Sequence, residues 1–424
     1  MTIITLEEIL KQNANSDGVP VFDENAWLEM NKLYTKAQIR VALADYIVTN
    51  KSKFPYIKIS YETLQERFTS LRNKNATDFL ITNFNNVVEK YDDYKYPFSD
   101  CGKLVIDLTN KYNPISNYFQ QENRMTCGSY SFESPIEIWN SKTLLEKMNW
   151  TFWRLGNNNI TPSQYRGSFR LGSYVATQFK PNVAKCIYQL TKAKVVCDTS
   201  CGWGDRLAGF YATPNAESYY GCDPNEVVFE TYKKQCIEYE RLLGCEAKLT
   251  DHGDWFECVG RKHVVIFRQP AEDVVWPNVA FDCTFTSPPY FSTEQYNKGG
   301  VNEQDQSWSR YSDYDKWKNG FYLPMLDSVW NKTKSGGFVC INIMDPQIKG
   351  KRYRACDDLV DHMKNKADCH FLGQIGMRIK QRPKNIGTIN LKKHLSTIFI
   401  ENVWCFSKDV VSSFHTPTLE SLFI

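Results

Sequence analysis

The 424-residue sequence contains no apolar run near the ~20 residues that a membrane-spanning helix requires. Its N-terminus carries acidic rather than basic residues and no long apolar core, which argues against a secretory signal. The 14 cysteines include no Cys-x-x-Cys pair; the closest two are Cys197 and Cys201, and the six histidines do not cluster with them. That pattern argues against both a zinc site and a disulfide framework, so no metal is expected. Reduced thiols point to the cytoplasm. The formal net charge is only +3, so bulk charge makes no case for a polyanionic partner and any such site must be a local patch. There is no internal repeat and no low-complexity linker.

What is present is the composition of a folded chain, 42% hydrophobic and 23% charged, long enough for one large or two ordinary domains. Roughly the first 150 residues look helical and irregular. The runs Leu6–Gln12 and Asn31–Val48 have helical spacing. This part also carries Lys32, Lys36, Arg40, Lys51, Lys53, Lys58, Arg67, Arg72 and Lys74, which fit either a solvated face or a phosphate-contacting one. From about Phe179 the pattern becomes short apolar strands alternating with helices. Lys194–Ser200, Ser218–Pro224, His263–Gln269, Phe281–Pro288, Gly336–Asp345, Leu372–Ile379 and Ile398–Ser407 read as buried strands. Such alternation predicts a mainly parallel α/β sheet, whose ligands bind outside the carboxyl ends of the strands.

The informative residues lie there. Asp198-Thr-Ser-Cys-Gly202-Trp-Gly204 follows the first of these strands, and glycines at alternate positions allow a tight loop whose backbone can approach a ligand. The loop is not a dinucleotide fingerprint, which would need glycine at Leu207, nor a P-loop, since no Gly-Lys-Ser/Thr follows. Asp223 ends the next strand, where a carboxylate can accept both hydroxyls of a ribose. Gln269-Pro-Ala-Glu272-Asp273 ends a third, as a polar turn able to border an adenine. The sharpest signal is Thr286-Ser287-Pro288-Pro289-Tyr290-Phe291, after Phe281–Phe285. Two prolines fix an extended turn, remove two amide donors and leave carbonyl groups free to accept.

With these residues in hand, the sequence resembles the amino-group DNA methyltransferases, whose catalytic motif is (Asp/Asn/Ser)-Pro-Pro-(Tyr/Phe/Trp). The serine form looks most like the N4-cytosine enzymes. Asp198, Gly202 and Gly204 match that family's cofactor loop, while Thr199, Ser200 and Trp203 depart from it. Phe179–Ala184 resembles the short motif before the loop, and Lys334–Gly337 and Glu401–Lys408 suit its later strands. The resemblance covers roughly residues 165 to 408. It implies a Rossmann-like methyltransferase fold with a mainly parallel seven-stranded sheet, S-adenosylmethionine as cofactor, and DNA as substrate. It implies catalysis by Ser287, Pro288, Pro289 and Tyr290. It implies cofactor contacts from Phe179, Asp198, Ser200, Cys201, Gly202, Gly204, Asp223, Pro224, Glu272, Asp273 and Ser287. It leaves room for a cognate restriction endonuclease as partner and for a bacterial or phage-infected host.

Chemically, an exocyclic amine on an aromatic base is a poor nucleophile because its lone pair is delocalised. Acceptors at Ser287 Oγ and the Pro288 carbonyl would hold its hydrogens, Tyr290 would stack on a flipped base, and positioning supplies most of the rate. The cytosine-C5 mechanism needs a nucleophilic cysteine, usually in a Pro-Cys pair, and the chain has none. Glu401-Asn-Val matches a motif of that class and is read as coincidence. Residues 1–150 are expected to form a helical domain that serves target recognition or structural support, and 151–424 the catalytic domain. A second basic set, Lys349, Lys351, Arg352, Arg354, Arg378, Lys380, Arg382, Lys384, Lys392 and Lys393, is a further phosphate-binding candidate, and Ser292–Ser312 a candidate lid. Adenine N6, an RNA base, a protein glutamine amide, or a non-catalytic nucleic-acid-binding role remain alternatives.

Overall fold

The computed structural model describes residues 5–82, 86–379 and 397–409. The chain forms two compact units. The first comprises Met1–Lys58, Gln121–Thr177 and Glu294–Gly299; the second comprises Ile59–Gln120, Gln178–Thr293 and Gly300–Ile424. Residues 59–120 therefore lie with the sheet and 151–177 with the helices, whereas the sequence placed a single division at 150.

The first unit is helical around an aromatic core that includes Trp27, Leu43, Phe54, Trp139, Phe152, Tyr165 and Phe169. The expected helix Asn31–Val48 is two helices, Glu24–Leu33 and Lys36–Thr49. Thr35 divides them: its hydroxyl accepts from the Gln38 amide while the Gln38 side chain accepts from the Thr35 amide, a reciprocal cap that starts a new helix. Buried indole N–H groups find carbonyls, Trp139 on Ser52 at 2.8 Å and Trp27 on Asn157 at 3.0 Å.

The second unit is built on a sheet of twelve strands among the described residues. In chain order they are β1 Leu80–Ile81, β2 Asn86–Val88, β3 Gly102–Asp107, β4 Val195–Asp198, β5 Ser218–Cys222 and β6 Lys248–Asp251. They continue with β7 Trp255–Val259, β8 His263–Phe267, β9 Phe281–Thr286, β10 Thr333–Asn342, β11 Cys369–Ile379 and β12 Thr397–Lys408. The order across the sheet is β1-β3-β11-β12-β10-β9-β4-β5-β8-β7-β6, with β2 pairing β12. All seven expected strands are present, and they form the contiguous centre β11-β12-β10-β9-β4-β5-β8. Within it only β12 runs antiparallel to its neighbours. This is the expected α/β architecture, enlarged from seven strands to twelve.

The additions follow from connection length. Three residues separate β6 from β7 and three separate β7 from β8, too few for a crossover, so both pairs are antiparallel. Gly253, at φ +85°, supplies the left-handed residue in the first of these turns. The central parallel strands are joined by helices, among them Asp205–Tyr211, Glu226–Leu242, Leu323–Lys332 and Ala355–Lys364. Strand order reverses beside β4: the chain proceeds from β4 outward through β5 and β8, then returns to β9 and β10 on the other side. A crevice opens at such a point beyond the carboxyl ends of the strands. The glycine loop leaves β4 and the Ser-Pro-Pro-Tyr turn leaves β9, so the sheet order alone makes them neighbours.

Candidate active site

The Thr199 and Thr286 hydroxyls, 3.1 Å apart, link the ends of β4 and β9. On the β4 side, Gly202 and Gly204 have φ of +57° and +69°. The two glycines are needed for different reasons. A Cβ on Gly204 would come within 2.5 Å of the Gln235 amide, whereas on Gly202 its nearest neighbour is the Ser200 carbonyl at 3.7 Å. Gly202 thus has room on its open face, and only its backbone conformation demands glycine.

The loop's amides are held by the protein itself. Ser200 N–H donates to Asp198, Cys201 N–H to the Cys222 carbonyl at 3.0 Å, Gly202 N–H to Asp223 Oδ2 at 2.9 Å, and Gly204 N–H to the Cys201 carbonyl at 3.1 Å. These four amides are engaged within the protein and shape the loop around its neighbours.

Asp198 and Cys201 are both buried. Asp198 is fully buried, pairs with Arg206 Nε at 2.9 Å, and accepts from the Tyr219 hydroxyl at 2.6 Å. Arg206 also donates to the Ser200 carbonyl and lies 5.2 Å from the Phe179 ring centre. Phe179 in turn meets Phe285 of β9 edge to face. Cys201 is buried, with its thiol beside Tyr219. Neither Arg206 nor Tyr219 was marked by the sequence, because nothing local shows which cation and hydroxyl satisfy a buried carboxylate.

Asp223 differs in being partly exposed. Oδ2 accepts from Gly202 N–H and Oδ1 from Asn225 N–H at 3.0 Å, while the single proton of the Tyr232 hydroxyl, 3.3 Å from Oδ2, goes to the nearer Gly202 carbonyl. Burial pushes its carboxyl up from 3.8 to about 6, against the opposing pull of those donors. Pro224 follows, also partly exposed. Glu272 has a side chain only 4% exposed. Its Oε1 accepts from Arg310 at 2.8 Å and from the Tyr311 hydroxyl at 2.9 Å, while Oε2 is buried without a partner among the described residues. Burial holds this carboxyl above the usual range. Asp273 is exposed and pairs with Arg310 at 2.7 Å.

On the β9 side, the Pro289 carbonyl accepts from Phe291 N–H at 3.0 Å, and the Tyr290 carbonyl accepts from Thr293. The carbonyl of Pro288 has no hydrogen-bond donor among the described residues, as the proline pair leads one to expect. Phe291 sits at φ +52°, a left-handed conformation that a bulky residue rarely adopts. Its ring is held among Tyr314, Trp317 and Tyr353, which supply the packing that stabilises a strained turn. The Tyr290 hydroxyl donates to Glu401 Oε1 at 2.6 Å. Glu401 thus belongs to the site after all, through sheet order rather than through the motif it superficially matched.

Other candidates are placed differently. Arg352 pairs with Asp345 and Asp93, Arg354 with Asp93 and Asp357, and Arg378 with Asp107, so these three are already neutralised. Lys380, Arg382, Lys384, Lys392 and Lys393 lie outside the described residues. In the stretch expected as a lid, Glu294 and Gln295 pair with Ser129 and Gly128 in a short ladder of the first unit, and Glu294 accepts from the Tyr174 hydroxyl. Among the described residues no helix is long and apolar enough to cross a membrane.

Comparison with known proteins gives one family. Residues 281–418 match the DNA methylase family of N6/N4 type. The resemblance read from Ser287 to Tyr290 falls in that stretch, and S-adenosylmethionine is the cofactor such a family implies. No curated protein sequence matches the chain. Among solved structures, TrmN from Thermus thermophilus is similar at 12% identity over 54% of this chain and 48% of its own, with a TM-score of 0.33. This chain thus spans about half of TrmN's length. A putative rRNA methylase from Clostridium thermocellum is 9% identical over 56% of this chain and 99% of its own, TM-score 0.30. Precorrin-6y C5,15-methyltransferase from Geobacter metallireducens is 10% identical over 54% and 87%, TM-score 0.30.

Proposed function

We propose, from the premise that residues 281–418 are a DNA methylase segment of the amino-group type, that this chain methylates an exocyclic amine of a DNA base, N4 of cytosine. The observation that carries the reading is the junction at Thr199 and Thr286: the glycine loop with Asp223 and the Ser-Pro-Pro-Tyr turn leave adjacent parallel strands at the reversal of the sheet. The serine at position 287 supports cytosine over adenine.

The residues fit S-adenosylmethionine. Each Asp223 oxygen retains a lone pair beyond the amide it already accepts from, enough for two ribose hydroxyls. The unpartnered Oε2 of Glu272 is a buried acceptor of the kind an adenine amino group satisfies. Phe179, Gly202 and Pro224 offer apolar and open surface beside them. Asp198, Ser200, Cys201 and Gly204 support the loop from behind, and Asp273 holds Arg310. When bound, S-adenosylmethionine supplies a methyl group on a positively charged sulfur.

The chain's own residues do the rest. Ser287 Oγ and the Pro288 carbonyl accept the two N–H hydrogens of the amine, which draws its lone pair out of the ring and toward the methyl carbon. Once the bound cofactor supplies its methyl group, the nitrogen would give up one of the hydrogens held by Ser287 Oγ and the Pro288 carbonyl, and that proton would pass to water. Tyr290 stacks on the flipped base. We assign DNA selection to the first unit, where Trp150 is 42% exposed with Lys36 and Arg40 within 6 Å of its ring centre. In this reading the methylated sequence is one protected from a cognate restriction endonuclease. Transfer of labelled methyl to DNA tests the proposal; label found only in RNA or protein, or transferred to nothing, overturns it.

A further inference from the structure

Arg352, Arg354 and Arg378 of the second basic set are held by acids, but Lys349 and Lys351 are exposed and have no acidic partner among the described residues. Both stand at the tip of a small antiparallel hairpin, in which Gln347 pairs with Arg352 and Ile348 with Lys351. Lys349 and Gly350 form its two-residue turn, at φ +47° and +81°. Positive φ at both positions suits the twist of a tight hairpin, and such turns are usually made by Asn, Asp or Gly. A lysine there costs backbone energy that no ion pair of its own offsets. A Cβ on Gly350 would meet nothing within 4 Å, so the turn stands clear of the protein around it.

The root of the hairpin is firmly held. Ile348 is buried against the core of the unit. Arg352 Nε pairs at 2.8 Å with Asp345, whose side chain is fully buried. Asp345 Oδ1 also accepts from Cys356 N–H at 2.9 Å, which ties the root to the helix Ala355–Lys364. The hairpin is tied to the catalytic turn as well. Tyr353, the residue after it, stacks on Tyr314 with ring centres 4.6 Å apart and meets Phe291 edge to face at 5.5 Å. Phe291 directly follows Tyr290. Lys351 Nζ lies 4.8 Å from the Tyr353 ring centre, so one of the two charges is seated on that aromatic chain. The hairpin follows β10, the parallel neighbour of β9, and so lies at the strand ends from which the Ser-Pro-Pro-Tyr turn leaves.

We propose that the Gln347–Arg352 hairpin is a DNA-contacting element of the second unit, in which Lys349 and Lys351 bind backbone phosphates beside the target base. A firmly rooted ribbon with an uncompensated positive tip suits a polyanion that runs past the catalytic turn. Lysine is a point charge on a flexible stem, so the contact is to phosphate and carries no base readout. It adds affinity and sets the backbone's distance from the Ser-Pro-Pro-Tyr turn, and leaves choice of sequence to the first unit. The inference rests on the DNA methylation reading given above. It accounts for a lysine at position 349, where asparagine or glycine would serve the turn better.

The test compares the full chain with Lys349→Asn, Lys351→Gln, the double variant and a charge control, Lys234→Gln, at an exposed lysine on the helix Glu226–Leu242. Affinity for a random-sequence DNA duplex is followed by fluorescence anisotropy between about 50 and 200 mM salt. Thermal melting, cofactor affinity by calorimetry and methyl transfer at saturating DNA are measured beside it. Each phosphate contact steepens the fall of log affinity with log salt by about 0.9, so the double variant should lose about 1.8 from the slope. The advantage of wild type over it should then shrink about 12-fold across that fourfold range of salt. Lys349→Asn should melt no lower than wild type, because asparagine tolerates the left-handed turn better. Weaker DNA binding in a protein at least as stable is a result that a merely structural lysine would not give. Cofactor affinity and transfer at saturating DNA should stay within about twofold, and Lys234→Gln should keep the wild-type slope. An unchanged slope in the double variant, an equal loss in Lys234→Gln, a lower melt in Lys349→Asn, or a loss seen on duplex RNA and not on DNA would each overturn the proposal. The two readings fail separately. Wild type that binds DNA through the hairpin but transfers no methyl to it refutes the methylation reading, whereas wild type that methylates DNA while the variants keep its slope refutes the hairpin's role alone.

Discussion

Asp223 gives the most quantitative prediction. Burial raises its carboxyl to about 6, and only the ionised form offers a lone pair on each oxygen to a ribose. With that value about 9% of free Asp223 is ionised at pH 5 and about 91% at pH 7. If binding requires the charged form, affinity for S-adenosylmethionine should fall about tenfold from pH 7 to pH 5, or about 1.4 kcal/mol. The direction follows from the shift: a raised carboxyl is neutral over more of the acidic range, so binding strengthens as pH rises through about 6 and levels off above. The cofactor's own α-carboxyl titrates below this window and its α-amino group above it. Glu272, also raised, is the other protein group able to contribute. Calorimetry across pH 5–7 on wild type and Asp223→Ala separates the two. The variant should bind about 2–4 kcal/mol more weakly, the loss of two charge-assisted hydrogen bonds. Its affinity should be nearly independent of pH. A wild-type affinity that stays flat, or a slope that persists in Asp223→Ala, would refute the assignment.

Ser287→Ala should slow single-turnover transfer by about 10- to 100-fold with cofactor affinity within about twofold, since its acceptor acts on the amine; a large loss of cofactor binding would count against that role. Arg206→Met leaves Asp198 buried and unpaired and should cost about 3–5 kcal/mol, read as a lower melting temperature at neutral pH. An unchanged melt would mean that the pair does not hold the loop. Gly202→Ala and Gly204→Ala both pay about 1–2 kcal/mol for the left-handed backbone, but only Gly204→Ala also drives a Cβ into Gln235, so it should melt lower of the two.

Much of this was legible in the sequence. The seven apolar runs after Phe179 are the seven central strands, because a parallel strand buried on both faces reads as a continuous apolar stretch. The Ser-Pro-Pro-Tyr turn was legible because proline's missing amide leaves a mark at a known position, and among the described residues the Pro288 carbonyl has no donor. The edge strands were not. Gly102–Asp107 pairs in parallel with β11 from more than 250 residues away, and no local pattern announces such a partner. The division between the units escaped for the same reason: residues 59–120 contribute strands to a sheet whose centre lies later in the chain.

Site chemistry was read unevenly. Asp198 and Asp223 look alike in sequence, each an acid ending a strand, yet Arg206 and Tyr219 satisfy the first while the second stays partly exposed. Which acid is structural depends on side chains one helical turn and one strand away. Glu401 was hidden more thoroughly, because only the antiparallel insertion of β12 between β10 and β11 carries it to Tyr290.

The most direct test of the central claim is transfer of labelled methyl from S-adenosylmethionine to double-stranded DNA by the full chain, followed by nucleoside analysis of the product. Label is expected in N4-methylcytosine. Label in N6-methyladenine would keep the chemistry and overturn the base assignment, and DNA free of label under conditions where the cofactor binds would contradict the account itself.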